Sequence, residues 1–217
     1  MPRSSLIARR SSLQPVRFTF QTPPTTGRRP AIFLDRDGVI NERIMHGYVT
    51  NWHEFQLIKD AEGVLRELAR LRLPILVISN QSGVGKGLLS RRVLQEVTRR
   101  FVAALGRRGA RIDGVYYCPH RPDEGCPCRK PKPGMLLQAA VDWRIDLAGS
   151  VMVGDTASDV EAAQAAGCRS ILLARPEAPG RGAFGLKPSE GPAIHSLSEL
   201  PGCAAARLGR SSLKPSL

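Results

Sequence analysis

Phe33-Leu34-Asp35-Arg36-Asp37-Gly38-Val39-Ile40-Asn41 is the stretch on which the fold turns. An apolar run leads straight into two carboxylates that stand two positions apart. In extended backbone residues i and i+2 share a face, so both carboxylates point the same way if strand geometry continues through them. Like charges so placed repel, and the arrangement is costly unless a cation or a proton is shared. A hard divalent ion such as Mg²⁺ takes oxygen ligands and relieves that cost. A solvated acidic turn would account for an isolated Asp-x-Asp. Here the pair follows an apolar run over 31–34 and precedes Gly38, and acid recurs at the end of another apolar run.

That second run is Val151-Met152-Val153-Gly154-Asp155-Thr156-Ala157-Ser158-Asp159. Asp155 leaves its strand as Asp35 leaves its own, so a parallel sheet brings the two together. Asp159 stands one helical turn further on. It either joins them or serves as a helix-start residue that meets the positive end of the dipole. A third run, Val77-Ile78-Ser79-Asn80-Gln81-Ser82-Gly83, ends in hydroxyl, amide and glycine, whose donors suit phosphate oxygens. It is not a P-loop, because Gly-Lys-Ser/Thr is absent at the required offset. Cys128-Arg129-Lys130-Pro131-Lys132-Pro133-Gly134 places three cations before an expected helix. Surface charge is the plain account of them, but cations opposite the carboxylates would balance a bound phosphate.

Periodicity supplies the frame. Val64, Leu65, Leu68 and Leu71 fall at helical spacing with Pro74 as a stop, and further helices are expected over 90–105, 134–141 and 157–166. Apolar runs over 31–34, 74–79, 112–117, 151–154 and 169–173 read as buried strands. This alternation predicts an α/β fold: a doubly wound, Rossmann-like, mostly parallel sheet with helices on both faces. Ligands of such sheets bind beyond the carboxyl ends of the strands, where three of the four motifs lie.

The chain has 217 residues, 42% hydrophobic and 24% charged, which fits one domain with tails and excludes a fibrous or wholly disordered protein. No window approaches the roughly 18 consecutive apolar residues of a membrane span. The formal charge of +13 suggests a nucleic-acid binder, but residues 1–30 carry six Arg and no acid. The body is only mildly basic, and nucleic acid is not the expected partner. The 1–30 leader is expected to be disordered. It is similar to an organellar transit peptide, and equally fits a basic arm or a start codon set too early. Residues 176–192 are expected to be a loose Pro/Gly connection, 193–197 a last short strand or turn, and 204–217 a frayed tail, so that 177–217 forms a partly flexible extension.

Cys118-Pro119-His120-Arg121-Pro122-Asp123-Glu124-Gly125-Cys126-Pro127-Cys128 gathers three of the five cysteines around a histidine. Disulfides are the alternative. A histidine among closely spaced cysteines, without a signal peptide, favours a Cys₃His zinc site and a cytoplasmic location. Four protein ligands leave no open position, so the Zn²⁺ would be structural, pinning the loop that continues into Arg129 and Lys130. Cys168 and Cys203 read as ordinary thiols.

Asp-x-Asp-Gly, strand-end Ser-Asn, Lys and Gly-Asp-x-x-x-Asp, in this order over residues 31–176, resemble the haloacid dehalogenase-like phosphotransferase superfamily. The resemblance implies that Asp35 is the nucleophile forming an aspartyl-phosphate and Asp37 the general acid and base. It further implies Mg²⁺ held by Asp35, the Asp37 carbonyl and Asp155, with Asp159 supporting the site from behind. Ser79 and the Asn80, Gln81 and Ser82 backbone would bind the phosphoryl group. Lys130, which follows Arg129 in Cys-Arg-Lys-Pro, matches the motif lysine in preference to Lys132. The zinc loop, with Asp-x-Asp-Gly-Val-Ile-Asn, Ser-Asn-Gln-Ser-Gly, Cys-Arg-Lys-Pro and Pro-Gly-Met, narrows the resemblance to heptose 1,7-bisphosphate 7-phosphatases and the closely similar histidinol-phosphate phosphatases. The absence of a large cap should leave the site open to small phosphorylated substrates. Lys132-Pro133-Gly134-Met135 leans to the first, and the five-residue spacer between His120 and Cys126 to the second. Residues 42–49, ending His46-Gly47-Tyr48-Val49, resemble the heptose enzymes' substrate loop but are about two residues longer, and Arg129 matches the substrate-recognition arginine. The expected activity is therefore removal of the 7-phosphate of the heptose bisphosphate by a monomer, with histidinol phosphate and then a polynucleotide 3′-phosphate as alternative substrates.

Overall fold

The computed structural model describes residues 14–175 and 192–209. Seven strands form one sheet: β1 Val16–Thr19, β2 Ile32–Leu34, β3 Ile75–Asn80, β4 Gly114–Cys118, β5 Val151–Gly154, β6 Arg169–Leu173 and β7 Ala193–Ile194. Their order is β1-β4-β3-β2-β5-β6-β7, and every pair is parallel except β1 with β4. The helices are α1 Ala61–Ala69, α2 Arg91–Gly106, α3 Gly134–Trp143, α4 Ala157–Ala165 and α5 Leu200–Arg207.

Alternation along the strands divides the core. Ile32, Leu34, Val77 and Val153 face α1 and α2 through Leu65, Leu68, Val97 and Phe101. Phe33, Leu76, Ile78 and Met152 face α3 and α4 through Leu136, Trp143 and Ala163. Burial on both faces is why these strands read as unbroken apolar runs rather than as alternating ones. The chain moves from β2 out to β3 and β4, then returns to β5 on the other side of β2. Chain order therefore reverses at the β2–β5 pair, where an open sheet leaves a crevice at its carboxyl edge. The register Leu34↔Val153 sets Asp35 and Asp155 at that edge.

Two segments differ from the sequence-based expectations. Part of the basic leader is ordered in the sheet: Val16–Thr19 pairs antiparallel with β4, and Phe18 meets Tyr117 edge-on with ring centroids 6.0 Å apart. The supposed tail holds a helix, α5, whose Leu200, Ala204 and Ala205 join the core. Both add apolar contacts that a frayed segment would forgo. The last short strand expected over 193–197 is present as β7, followed by a 3-10 turn Leu197–Glu199. Residues 1–13, most of the 176–192 connection and 210–217 lie outside the described residues. Among the described residues no helix is long and apolar enough to cross a membrane.

Candidate active site

Two glycines make room for the acidic cluster and a third for the wall beside it. A Cβ on Gly38, whose φ is +102°, would collide with the Asp155 carboxylate, and one on Gly154 with the Asp159 side chain. A Cβ on Gly83 would run into the Tyr48 ring and Leu89. The Asp35 N–H donates to Val153 O at 2.8 Å, tying the start of the acidic loop to β5.

Lys130 stands at the centre. Its ammonium, buried with the side chain 3% exposed, donates to Asp35 Oδ1 at 2.8 Å, to Asp159 Oδ1 at 2.5 Å and to Ile78 O at 2.8 Å. Burial works against its charge, but Asp159 and Asp35 outweigh burial and hold the ammonium above its usual value. Burial pushes the Asp35 carboxyl up to about 7, with Lys130 pulling the other way and Asp159, Asp155 and Asp37 adding to the rise. Asn80 fixes Lys130 through its backbone: Asn80 Nδ2 donates to Lys130 O at 3.0 Å, and Lys130 N–H to Asn80 Oδ1 at 3.1 Å. Asp159 serves both roles left open by its position. Its second oxygen accepts from the Thr156 N–H at 3.1 Å, closing a capping box at the start of α4, while the first meets Lys130.

Asp37 is held differently. Arg36, 1% exposed, grips it through Nε and Nη2 at 2.9–3.2 Å. Asn41 Nδ2 donates at 2.9 Å and Gln81 Nε2 at 2.7 Å. Burial opposes the Asp37 charge, and Arg36, Asn41 and Gln81 together keep the carboxyl below its usual range. The Arg36 guanidinium lies 5.6 Å from the Tyr117 ring centroid, a cation–π contact beneath the site.

A cavity of ≈ 550 Å³ opens above these groups. Asp35, Asp37, Ser79, Asn80, Ser82, Arg129, Lys130 and the whole of His46, Gly47 and Tyr48 line it. Gln81 and Asp155 do not: Gln81 is buried against Asp37 and Ser79, and the Asp155 carboxylate is fully covered. Lys132 turns away to donate to Gly125 O. Lys86, Arg43, Thr156 and Ser158 also line the cavity, although the sequence reading assigned them nothing. Tyr48 OH lies 3.0 Å from Ser82 Oγ. Against burial, hydrogen bonds to Ser82 and Lys86 and the charges of Lys86 and Arg129 hold the Tyr48 hydroxyl below its usual value.

The residues fit a hard cation. Asp35, Asp155 and Asp159 offer carboxylate oxygens within 4.8 Å of one another. A positive group of the protein's own already marks the place: Arg43 Nη2 donates to the Asp37 carbonyl at 2.8 Å and to Asp155 Oδ1 at 2.6 Å, 3.8 Å from Asp35 Oδ2. An all-oxygen donor set around one positive charge is the chemistry a divalent alkaline-earth ion requires.

The second candidate centre lies where β4 ends. Cys118, His120, Cys126 and Cys128 are all buried, with ligand atoms within 4.8 Å of one another. Cys118 Sγ is 3.5 Å from Cys126 Sγ and His120 Nδ1 is 3.2 Å from Cys128 Sγ, and all the cysteines are free thiols. The disulfide alternative is thereby set aside in favour of a cluster compatible with zinc. Hydrogen bonding with Cys128 holds the Cys118 thiol well below its usual value against burial, while that same bond pushes the Cys128 thiol up and burial pushes up Cys126.

Comparison with known proteins agrees with this geometry. A family model described as HAD-hydrolase-like matches residues 127–178. A D-glycero-beta-D-manno-heptose-1,7-bisphosphate 7-phosphatase of Yersinia pestis is 40% identical over 190 residues, covering 82% of this chain and 96% of that protein. Its counterpart in Vibrio cholerae is 43% identical over 154 residues, 68% of this chain and 82% of that one. The crystal structure of the D,D-heptose 1,7-bisphosphate phosphatase of B. bronchiseptica, complexed with magnesium and phosphate, superposes with a TM-score of 0.74. It is 32% identical and covers 80% of this chain and 97% of that one. Similarity over nearly the full length of the Yersinia protein, on a sheet whose carboxyl edge gathers Asp35, Asp37, Lys130 and Asp155, shows that this chain belongs to the heptose-1,7-bisphosphate 7-phosphatase family of HAD-like phosphatases.

Proposed function

We propose that the chain removes the 7-phosphate of D-glycero-D-manno-heptose 1,7-bisphosphate through an aspartyl-phosphate at Asp35, with Mg²⁺ held by Asp35, the Asp37 carbonyl and Asp155. One observation carries the reading: Lys130 bridges Asp35 and Asp159 at the floor of the cavity while the three oxygens converge on a single cation position. A carboxylate cannot approach a phosphate dianion without screening; Mg²⁺ supplies part of that charge when bound.

An Asp35 carboxylate oxygen attacks phosphorus and the bond from phosphorus to the sugar oxygen breaks. Asp37, held as a carboxylate by Arg36, Asn41 and Gln81 beforehand, takes up a proton from solvent as substrate binds and gives it to the departing alkoxide. It then takes a proton from water, which attacks the phosphorus of the aspartyl-phosphate, releasing phosphate and restoring Asp35. Asp37 must loosen its grip on Arg36 to carry that proton. Ser79 Oγ accepts from Gln81 Nε2 and so keeps its proton to donate to a phosphoryl oxygen, with the Asn80 and Ser82 backbone behind it; the Gln81 N–H is spent on Cys118 O and takes no part. Asp159 keeps Lys130 charged and placed.

A second phosphate on the substrate finds cations of its own. Arg129 and Lys86 both line the cavity beside Tyr48, and Arg129 Nη1 is buried without an acceptor in the protein. That favours a bisphosphate over histidinol phosphate. Zn²⁺ held by Cys118, His120, Cys126 and Cys128 stabilises the loop that delivers Arg129 and Lys130. Reduced thiolate ligands suit a cytoplasmic enzyme. Phosphate release from heptose bisphosphate, histidinol phosphate and a 3′-phosphorylated oligonucleotide, with and without Mg²⁺, tests the reading. The expected result is Mg²⁺-dependent release with the bisphosphate strongly preferred. Equal or better turnover of either other substrate contradicts it.

A further inference from the structure

Arg43 takes no part in the chemistry above, and it occupies the position that the chemistry needs. Its Nη2 donates to the Asp37 carbonyl at 2.8 Å and to Asp155 Oδ1 at 2.6 Å, and stands 3.8 Å from Asp35 Oδ2. These are the same three oxygens assigned to Mg²⁺. A magnesium ion sits at roughly 2.0–2.1 Å from each ligand, which leaves no room for a nitrogen hydrogen-bonded to the same atoms. The two cations exclude one another.

The guanidinium also fits the place incompletely. Arg43 Nε is buried and finds no acceptor. The side chain remains 33% exposed, unlike Lys130 at 3%, so it has a way out toward the cavity. It is carried by the 42–49 segment, which forms one wall of the cavity and is pinned at its base, where the Glu42 N–H donates to Gln56 O at 2.7 Å.

We propose that Arg43 is a built-in counter-cation of the metal position, expelled when Mg²⁺ binds, so that metal loading and rearrangement of the 42–49 wall are a single event. The inference rests on the metal position described under the proposed function. Without a cation, the buried Asp35 and Asp155 carboxylates repel each other across the β2–β5 edge, and Arg43 offsets that repulsion. The metal must break two charge-assisted hydrogen bonds to enter, so its affinity is lowered. Coupling of this kind is reciprocal. An anionic substrate that draws the freed guanidinium to its phosphate, which a planar fork of donors suits, strengthens metal binding in turn.

Calorimetric titration of the purified full-length chain with Mg²⁺ alone tests this, alongside Arg43→Met and Arg43→Lys. Losing the competing hydrogen bonds should tighten Mg²⁺ binding of Arg43→Met roughly tenfold. Arg43→Lys, which keeps a cation, should stay nearer the parent. In the parent itself, Mg²⁺ should speed tryptic cleavage of the Arg43–Ile44 bond, read by mass spectrometry of the peptide ending at Arg43; this arm stands even if a variant fails to fold. Mg²⁺ binding by Arg43→Met no tighter than the parent's, or cleavage at Arg43 indifferent to Mg²⁺ in a parent that binds it, overturns the role of Arg43 and leaves the metal position standing. Failure of parent and variants alike to bind Mg²⁺ overturns the metal position, and the inference with it.

Discussion

At the carboxyl ends of β2 and β5, four carboxylates pair with three cations of the protein's own, Lys130, Arg36 and Arg43. At the end of β4, three thiols and an imidazole face one another, all buried. The first centre is built of hard oxygen donors, opens to a cavity and holds positive side chains that hydrogen bonds can release. The second is built of soft donors, closed, and complete with four ligands. The difference matches the two roles proposed: an exchangeable cation at the first centre and a structural one at the second.

The comparison can be broken most forcefully at Asp35. Asp35→Asn removes the nucleophile, and phosphate release should fall by roughly 10⁴-fold or more. Its far-ultraviolet dichroism should match the parent's, because one buried like charge has been taken away. Retained turnover in that variant would dissolve the distinction between the two centres.

A stability measurement probes the other side. Cys128→Ser leaves three ligands, and loss of the metal should cost on the order of 5 kcal/mol in denaturant unfolding. Zinc chelation of the parent should likewise lower its thermal midpoint, whereas withdrawing Mg²⁺ should stop turnover and leave the midpoint nearly in place. If withdrawing Mg²⁺ destabilises the fold as much as removing zinc, the two centres do not differ as described.

The smallest effect sharpens the link between them. Asn80 clamps the backbone of Lys130, two residues past Cys128. Asn80→Ala should cost about 1–2 kcal/mol of stability for its lost hydrogen bonds. It should lower kcat roughly tenfold through misplacement of the lysine, with KM little changed. Steady-state kinetics showing the loss in KM instead would assign Asn80 to substrate binding.

Much of this was legible from the chain. β5 and β6 fall where their apolar runs begin and end, and the parallel order follows from strand–helix alternation, because strands buried on both faces must be apolar throughout. The convergence of Asp35 and Asp155 follows from adjacency of their strands. What escaped were contacts that spacing does not encode. Arg43 reaches Asp155 across 112 positions, and only a charged residue in a lengthened loop hinted at it. The buried Arg36 reads as an ordinary polar residue inside Asp-x-Asp. Val16–Thr19 was hidden by the basic composition around it, although Val-Arg-Phe-Thr alternates as an edge strand does. Pro201 and Gly202 disguised α5, which is held by docking Leu200 and Ala204 and owes little to helix propensity.

Covalent capture of Asp35 tests the central claim most directly. Heptose bisphosphate and Mg²⁺ are mixed with the enzyme, the reaction is quenched within a turnover, and borohydride reduces any acyl phosphate to the alcohol. Mass spectrometry should then find residue 35 converted to homoserine, only when substrate was present. A reduced residue elsewhere, or none during demonstrable turnover, contradicts the nucleophilic role on which this account of the pocket stands.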